Sequence, residues 1–154
     1  MNRRVDTSEH ALWSEMSRVC VGFNLRRAAR AVSQIYDSAM QDCGLRATQF
    51  SMLVAISTYG PLTINDLANG GVMDQTTVSR NVRVLQKQGY VEMVPGTDKR
   101  TRAVSITNKG KSVLRSALPH WNRVQASMAK KLGDKEVKVL LEGLRMAVKV
   151  AKQL

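Results

Sequence analysis

The sequence predicts a mainly α-helical protein with a small β-hairpin wing, arranged as a winged helix-turn-helix flanked by further helices. Two observations support this prediction. Apolar residues recur at helical spacing through most of the chain, and one charged, turn-rich loop separates two short runs of β-forming residues. A length of 154 residues with 44% apolar residues is enough for one domain with a sizeable core.

Helices are expected from the start of the chain. The apolar spacing of residues 12–42 predicts one long helix or two helices in tandem, ended by Gly44. Thr48 can cap the next helix because its hydroxyl can accept a hydrogen bond from a backbone N–H of the first turn. The Tyr-Gly-Pro sequence at 59–61 then ends that helix.

Two capping signals mark the centre of the chain. Thr63 and Asp66 have the spacing of a capping box and open a short helix, which the glycines at 70–71 are expected to break. Asp74 is a good N-cap for the following helix, and Gly89 suits its C-terminal end. Together with the helix before them, these segments make three short helices in succession.

A hairpin and two longer helices complete the predicted fold. Residues 91–94 and 103–106 are expected to form strands joined by a charged loop. Thr107 can cap the next helix, and a last helix starts at Gly133. Three short helices followed by a hairpin make a winged helix-turn-helix, which we place at residues 45–106.

The helical flanks, residues 1–44 and 107–154, are predicted to form a dimerisation region. Their apolar stripes are larger than the winged unit can cover by itself. The simplest partner for such a surface is a second copy of the chain, so a homodimer is expected.

The net charge of +12 is concentrated in one half of the chain. Residues 1–77 hold 7 Lys and Arg and 7 Asp and Glu, whereas residues 78–154 hold 17 Lys and Arg and 5 Asp and Glu. A concentrated positive field attracts polyanions by electrostatic steering and counterion release, and double-stranded DNA is the expected partner. A merely solubilising surface is the alternative.

Other classes of protein are disfavoured. No apolar run reaches the roughly 18 residues of a membrane span, and the polar N-terminus is unlike a signal peptide. The two cysteines, Cys20 and Cys43, have neither zinc-site nor redox-pair spacing and suggest a reducing compartment. We therefore expect a cytoplasmic protein without membrane association, metal or cofactor. The absence of a phosphate-binding glycine loop and of a nucleophile elbow disfavours an enzyme.

The helix that follows Asp74 has two distinct faces. Val78, Val82 and Leu85 fall on one side and should pack inward, and a hydroxyl followed by three cations falls on the other. Polar side chains at the start of a recognition helix suit base edges, and cations farther along suit phosphates. The residues of this helix predicted to contact DNA are Gln75, Thr76, Thr77, Ser79, Arg80, Arg83 and Lys87.

The tip of the hairpin is basic. Lys99, Arg100 and Arg102 are predicted to contact DNA, because an arginine at a hairpin tip can enter the negative minor groove of A·T-rich DNA. Phosphates would repel Asp98, so we assign it the role of orienting Arg100 or Arg102 through an ion pair. A polar helix start followed by a basic hairpin is more specific for DNA than either feature alone.

The sequence resembles the MarR family of bacterial transcription regulators in five segments that follow one another in the family's order. These are LTINDLA (62–68), DQTTVSR (74–80), LQKQGYV (85–91), DKRTR (98–102) and ITNKG (106–110). The resemblance implies a homodimer on a palindromic operator, usually a repressor released by a small ligand or by oxidation. It also implies that Asp98 pairs with a wing arginine and that Arg100 enters the minor groove.

The chain departs from the family pattern before the recognition helix. The family usually has a leucine and then a glycine there, whereas residues 69–73 read NGGVM. Because glycine weakens a helix, this departure predicts a looser turn.

The sequence is compatible with two kinds of switch that would release DNA. Cys20 follows Arg18 and precedes Arg26 and Arg27, and cations near a helix N-terminus favour the reactive thiolate, although a small apolar residue in the dimer core is the simpler interpretation. The alternative is a small-molecule effector, usually an aromatic acid in the family, held between the dimerisation helices and the winged region. The candidate lining residues, each of which could be purely structural, are Trp13, Arg26, Arg27, His120 and Trp121.

A winged-helix module that binds protein or RNA is the alternative function. The fold alone does not distinguish it from an operator-binding regulator. The salt dependence and sequence preference of binding to duplex DNA would separate the two.

Overall fold

The computed structural model describes residues 7–96, 98 and 100–153. This part of the chain is mainly helical and contains one small antiparallel sheet, which confirms the predicted fold class. The elements are α1 (Thr7–Val19), α2 (Val21–Met40), α3 (Ala47–Tyr59), β1 (Leu62–Thr63), α4 (Ile64–Gly71), α5 (Gln75–Lys87), β2 (Val91–Pro95), β3 (Arg102–Ile106), α6 (Asn108–Leu132) and α7 (Asp134–Ala151).

The first helical region consists of two helices in tandem, α1 and α2, which are separated by Cys20. The backbone of Cys20 is extended, with φ −67° and ψ 110°, and its Sγ accepts a hydrogen bond from the Phe23 N–H at 3.4 Å. The Asn24 amide donates to the carbonyl oxygens of Arg18 and Cys20, at 3.1 Å and 3.0 Å. Cys20 therefore caps α2 and does not lie within one long helix.

The turn between α2 and α3 differs from the prediction at its cap. Gly44 adopts φ +66° and ends the single 3-10 turn Gln41–Cys43 that follows α2, as expected for a left-handed residue. The N-cap of α3 is Arg46, so the prediction of Thr48 was wrong by two residues. The buried Gln49 decides this position, because its Oε1 accepts from the Arg46 N–H at 3.0 Å.

The helix-turn-helix consists of α4 and α5. The predicted capping box at the start of α4 is confirmed: the Thr63 N–H donates to Asp66 at 2.9 Å, and the Asp66 N–H donates to the Thr63 hydroxyl at 3.1 Å. The glycines at 70–71 do not break α4 but form its last turn. The break comes at Val72, which adopts a left-handed conformation with φ 51° and ψ 49°.

The sheet has the strand order β1-β3-β2, with both pairings antiparallel. The hairpin of β2 and β3 pairs Val91 with Ile106 and is the predicted wing. The two-residue strand β1 was not predicted, because it carries too few residues for an alternating pattern. It pairs Leu62 with Val104 and so attaches the start of α4 to the wing.

The core lies where the helix-turn-helix, the sheet and the helices α2, α3 and α6 meet. The largest fully buried side chains are those of Met40, Leu53, Ile56, Val78, Leu85 and Val104. Behind this core the Gln125 amide donates to the Tyr36 hydroxyl at 2.7 Å, which ties α6 to α2. Burial raises the pKa of Tyr36 above its usual value.

The end of α5 is joined to the start of α6 by a cluster that we call the α5–α6 junction. The Thr107 hydroxyl donates to the Gly89 carbonyl at 2.7 Å and also accepts from the Gly110 N–H at 3.0 Å. The Lys109 ammonium donates to the Gln88 carbonyl at 2.8 Å. A Cβ at Gly110 would collide with the carbonyl of Tyr90, so this close approach requires glycine.

The helices at both ends leave apolar side chains exposed. On α1 these are Leu12, Trp13, Met16 and Val19, and along one face of α7 they are Leu140, Leu141, Leu144 and Val148. Exposed apolar stripes on neighbouring turns of a helix are typical of an interface with another protein surface.

The left-handed Val72 predicts a stabilising substitution. This conformation costs an L-residue roughly 1–2 kcal/mol and is especially unfavourable for a β-branched side chain. Because Val72 is 61% exposed, Val72→Gly loses little packing and should raise the free energy of unfolding by about 1 kcal/mol, measured by urea denaturation. The matched control Val84→Gly, in the regular backbone of α5, should lower it; a lower value for both variants would contradict the prediction.

Candidate nucleic-acid interface

The two faces of α5 lie in opposite environments. Val78, Val82 and Leu85 are at most 3% exposed and pack into the core, as predicted. The side chains on the opposite face are exposed to solvent: Thr76, Arg80, Arg83 and Lys87. An open groove along this surface is lined by Gln75, Thr76, Ser79, Arg80 and Arg83.

The cap of α5 holds one of the predicted base-contacting residues. Asp74 Oδ1 accepts from the Thr77 N–H at 2.7 Å, and Oδ2 accepts from the Thr77 hydroxyl at 2.6 Å. These two bonds hold the pKa of Asp74 below its usual value, and the bond from the hydroxyl has the larger effect. The Thr77 hydroxyl is thus engaged within the protein, whereas the Thr76 side chain faces solvent.

A neighbour of Gln75 was missed in the sequence. The Gln75 Nε2 donates to Asn65 Oδ1 at 3.1 Å, which joins the first turn of α5 to the first turn of α4. Gln75 directly follows the cap Asp74, and Asn65 lies within the Thr63–Asp66 capping box, so the pattern placed each near a helix start. Nothing in the pattern indicated that the two helix starts meet.

The tip of the wing contains the predicted ion pair. Asp98 Oδ2 lies 3.3 Å from the Arg100 guanidinium, and Asp98 Oδ1 accepts from the Arg100 N–H at 3.0 Å. Both hydrogen bonds from Arg100 lower the pKa of Asp98, and the bond from the backbone N–H has a larger effect than the bond from the side chain. The other candidate partner, Arg102, donates instead to the Met93 carbonyl at 3.3 Å. Lys99 lies outside the described residues.

Two adjoining cavities open between α2 and the winged segment. Their volumes are about 220 Å³ and 520 Å³, and they share Ser33, Ala47 and Ser51. Trp121 lines the smaller cavity. The other predicted effector-binding residues line neither of these two cavities: Trp13, Arg26, Arg27 and His120. Trp13, Arg26 and Arg27 are exposed on α1 and on the first turns of α2, whereas the cavities begin farther along α2, at Val32.

Both cysteines are unpaired, with Cys20 exposed and Cys43 partly buried. The described residues contain no group of three His, Cys, Asp or Glu side chains that could hold a metal ion. None of the described helices combines the length and apolarity that crossing a bilayer requires.

The chain is similar to known proteins in both sequence and structure. The sequence profile of the MarR family matches residues 44–101. An uncharacterised HTH-type transcriptional regulator of Bacillus cereus is 32% identical over 123 residues, which cover 79% of this chain and 82% of the relative. The M. tuberculosis transcriptional regulator MosR superposes with a TM-score of 0.75 at 34% identity, covering 87% of this chain and 98% of MosR. A structure of MosR in complex with DNA gives a TM-score of 0.73 at 35% identity, covering 86% of this chain and 98% of that one.

The Asp74 cap predicts part of the acid sensitivity of the fold. Because its pKa is lower in the folded chain than the unfolded value of about 3.9, the stabilisation is complete above that pH and is lost as the pH falls through the folded-state pKa. Asp74→Asn removes this titration. Its urea midpoint should therefore fall less between pH 7 and pH 3 than that of the wild type.

The matched control is Asp42→Asn. Asp42 is exposed in the 3-10 turn Gln41–Cys43, outside α5 and its cap, so this variant should keep the wild-type fall in midpoint. An equal fall in all three proteins would contradict the assigned role of the cap.

Proposed function

The chain belongs to the MarR family of transcriptional regulators, and we propose that it is a homodimeric repressor that binds a palindromic operator in double-stranded DNA. One observation carries the proposal: α5 buries its apolar face in the core, so its polar and cationic face is exposed to solvent. In this proposal α5 enters the major groove. Its first residues Gln75, Thr76 and Ser79 face the bases, and Arg80, Arg83 and Lys87 bind phosphates.

The wing supplies the second contact with DNA. Arg100 enters the minor groove, and Asp98 holds its guanidinium at the hairpin tip until DNA is bound. Lys99 and Arg102 add positive charge beside it. The ion pair at the tip supports this role of the wing. The solved complex of DNA with MosR, a relative at 35% identity, supports DNA as the partner.

A second copy of the chain covers the exposed apolar stripes of α1 and α7. In this proposal residues 1–44 and 107–154 form the dimerisation region, and residues 45–106 bind DNA. The exposed Leu140, Leu141 and Leu144 on neighbouring turns of α7 support it. A two-fold dimer presents two copies of α5, which explains why a palindrome is expected.

Selection of bound duplexes from a random pool tests the function. We expect a palindrome with half-sites about 10 base pairs apart, bound by two copies of the chain, with an affinity that falls steeply with salt. Binding to RNA, or to every duplex alike, would overturn the proposal in favour of the alternative winged-helix module.

Two substitutions in α5 should act differently on that operator. Thr76→Ala removes a base-facing side chain and should relax the sequence preference at one position of each half-site. Lys87→Ala removes a phosphate contact and should weaken all sequences alike, while lowering the slope of log affinity against log salt by about 1.

Lys138→Ala is the matched control, because it removes one positive charge from the exposed surface of α7. It should leave affinity and preference unchanged. If Thr76→Ala and Lys87→Ala have the same effect, the division into base and phosphate contacts is wrong.

A small molecule bound in the two adjoining cavities is one way to release the DNA. Both cavities lie between α2 and α3, and the larger one extends to α4. A ligand there would change how the helix-turn-helix is held relative to the dimer. Trp121, Tyr36 and Phe50 line the smaller cavity and suit an aromatic ring, and Ser33 and Ser51 offer hydroxyls for a polar substituent.

Oxidation of Cys20 is the other switch. Its thiol is exposed at the junction of α1 and α2, where it caps the helix that lines the cavities. Oxidation would replace the small cap with a larger polar group. Peroxide should therefore release operator DNA from the wild type but not from Cys20→Ser, measured by gel shift.

Cys43→Ser serves as the control, because it keeps Cys20 and should still respond to peroxide. Equal DNA binding with and without peroxide in the wild type and both variants would remove Cys20 as a switch.

A further inference from the structure

The amides of Asn65 and Gln75 form a bridge between the two helices of the helix-turn-helix. Both side chains are exposed, and the Gln75 Nε2 donates to Asn65 Oδ1 at 3.1 Å. Gln75 is the first residue of α5 and also lines the open groove beside Thr76. The bridge therefore lies at the end of the recognition helix that meets the bases in the proposed function.

The bridge is anchored at both ends. Asn65 lies in the first turn of α4, which the Thr63–Asp66 capping box fixes with three hydrogen bonds of 2.7 to 3.1 Å. Gln75 lies in the first turn of α5, which Asp74 caps through both its carboxylate oxygens. A glutamine side chain otherwise samples many rotamers, and its ordering opposes binding. Asn65 restricts these rotamers before DNA arrives.

We propose that Asn65 is a positioning residue that presets the Gln75 amide for an adenine in each operator half-site, an inference that rests on the proposed function. The Gln75 Nε2 carries two hydrogens, and Asn65 engages one of them. Among the residues that the structure describes, the other hydrogen and Oε1 have no hydrogen-bond partner. One donor beside one acceptor is the complement of adenine, whose N7 accepts and whose N6 donates.

The same bridge disfavours guanine. Guanine presents two acceptors, O6 and N7, in the major groove. A free glutamine amide could direct both of its N–H groups at them. With one N–H held by Asn65, only one donor is left, and Oε1 would face a second acceptor. Loss of Asn65 should therefore raise binding to guanine at this position more than it changes binding to adenine.

Sequence preference, not affinity alone, provides the test. Affinities for operators that carry each of the four bases at the Gln75-facing position would be measured for the wild type, Asn65→Ala, Gln75→Ala and the double variant. In the wild type a bidentate amide should favour adenine by about 5- to 150-fold. Asn65→Ala should reduce the ratio of the affinity for the adenine operator to that for the guanine operator at least several-fold. Gln75→Ala should abolish the adenine preference. The double variant should match Gln75→Ala, because Asn65 acts only through Gln75.

Asn65→Asp is the conservative control. Its carboxylate still accepts from Gln75 Nε2 but adds a negative charge near DNA. It should keep the adenine preference while weakening all sequences alike. Unchanged preferences at the other operator positions show that the variants are folded.

Two results would overturn the inference. Uniform weakening of every sequence by Asn65→Ala, with the adenine preference intact, would reduce Asn65 to a general contact. An adenine preference that survives Gln75→Ala would assign the preference to another residue. If the wild type selects no duplex at all, the proposed function itself fails and this inference falls with it.

Discussion

Burial of one face of α5 is the constraint on which the rest of the molecule depends. Val78, Val82 and Leu85 are almost fully buried, and burial of each contributes about 1.5–3 kcal/mol. Because a helix has a fixed period, burying these three residues also decides which residues face solvent. The rotation of the recognition surface is therefore set by the core, and the exposed cations need no partners within the chain to hold their orientation.

Hydrogen bonds at both ends of α5 fix its position along the axis. Asp74 caps the first turn, and the Asn65–Gln75 bridge connects that turn to α4. At the other end, the α5–α6 junction ties the carbonyls of Gln88 and Gly89, which directly follow the helix, to Lys109 and Thr107. Because α6 lies in the proposed dimerisation region, the α5–α6 junction connects α5 directly to that region.

Some parts of the site could be read from the sequence because they depend on local chemistry. The Thr63–Asp66 capping box, the Asp74 cap and the inward face of α5 all follow from residue type and spacing within one or two turns. Arg46 as the cap of α3, and Val72 as the end of α4, could not be read in this way. The first is decided by buried Gln49, and the second by the requirement for a left-handed residue at a position where this chain has no glycine.

The sequence by itself determined the order and kind of the main elements and the polarity of α5, because hydrophobic periodicity and capping are local. Only the tertiary structure decided which elements meet. It brought β1 to the wing, paired Asp98 with Arg100 and not with Arg102, placed Trp121 beside the cavities and set Asn65 against Gln75. The Asp98–Arg100 pair lies within one exposed turn. The other contacts join residues of different elements, and their geometry follows from packing around a shared core. The recognition helix was therefore visible in the sequence, whereas the residue that positions its first side chain was not.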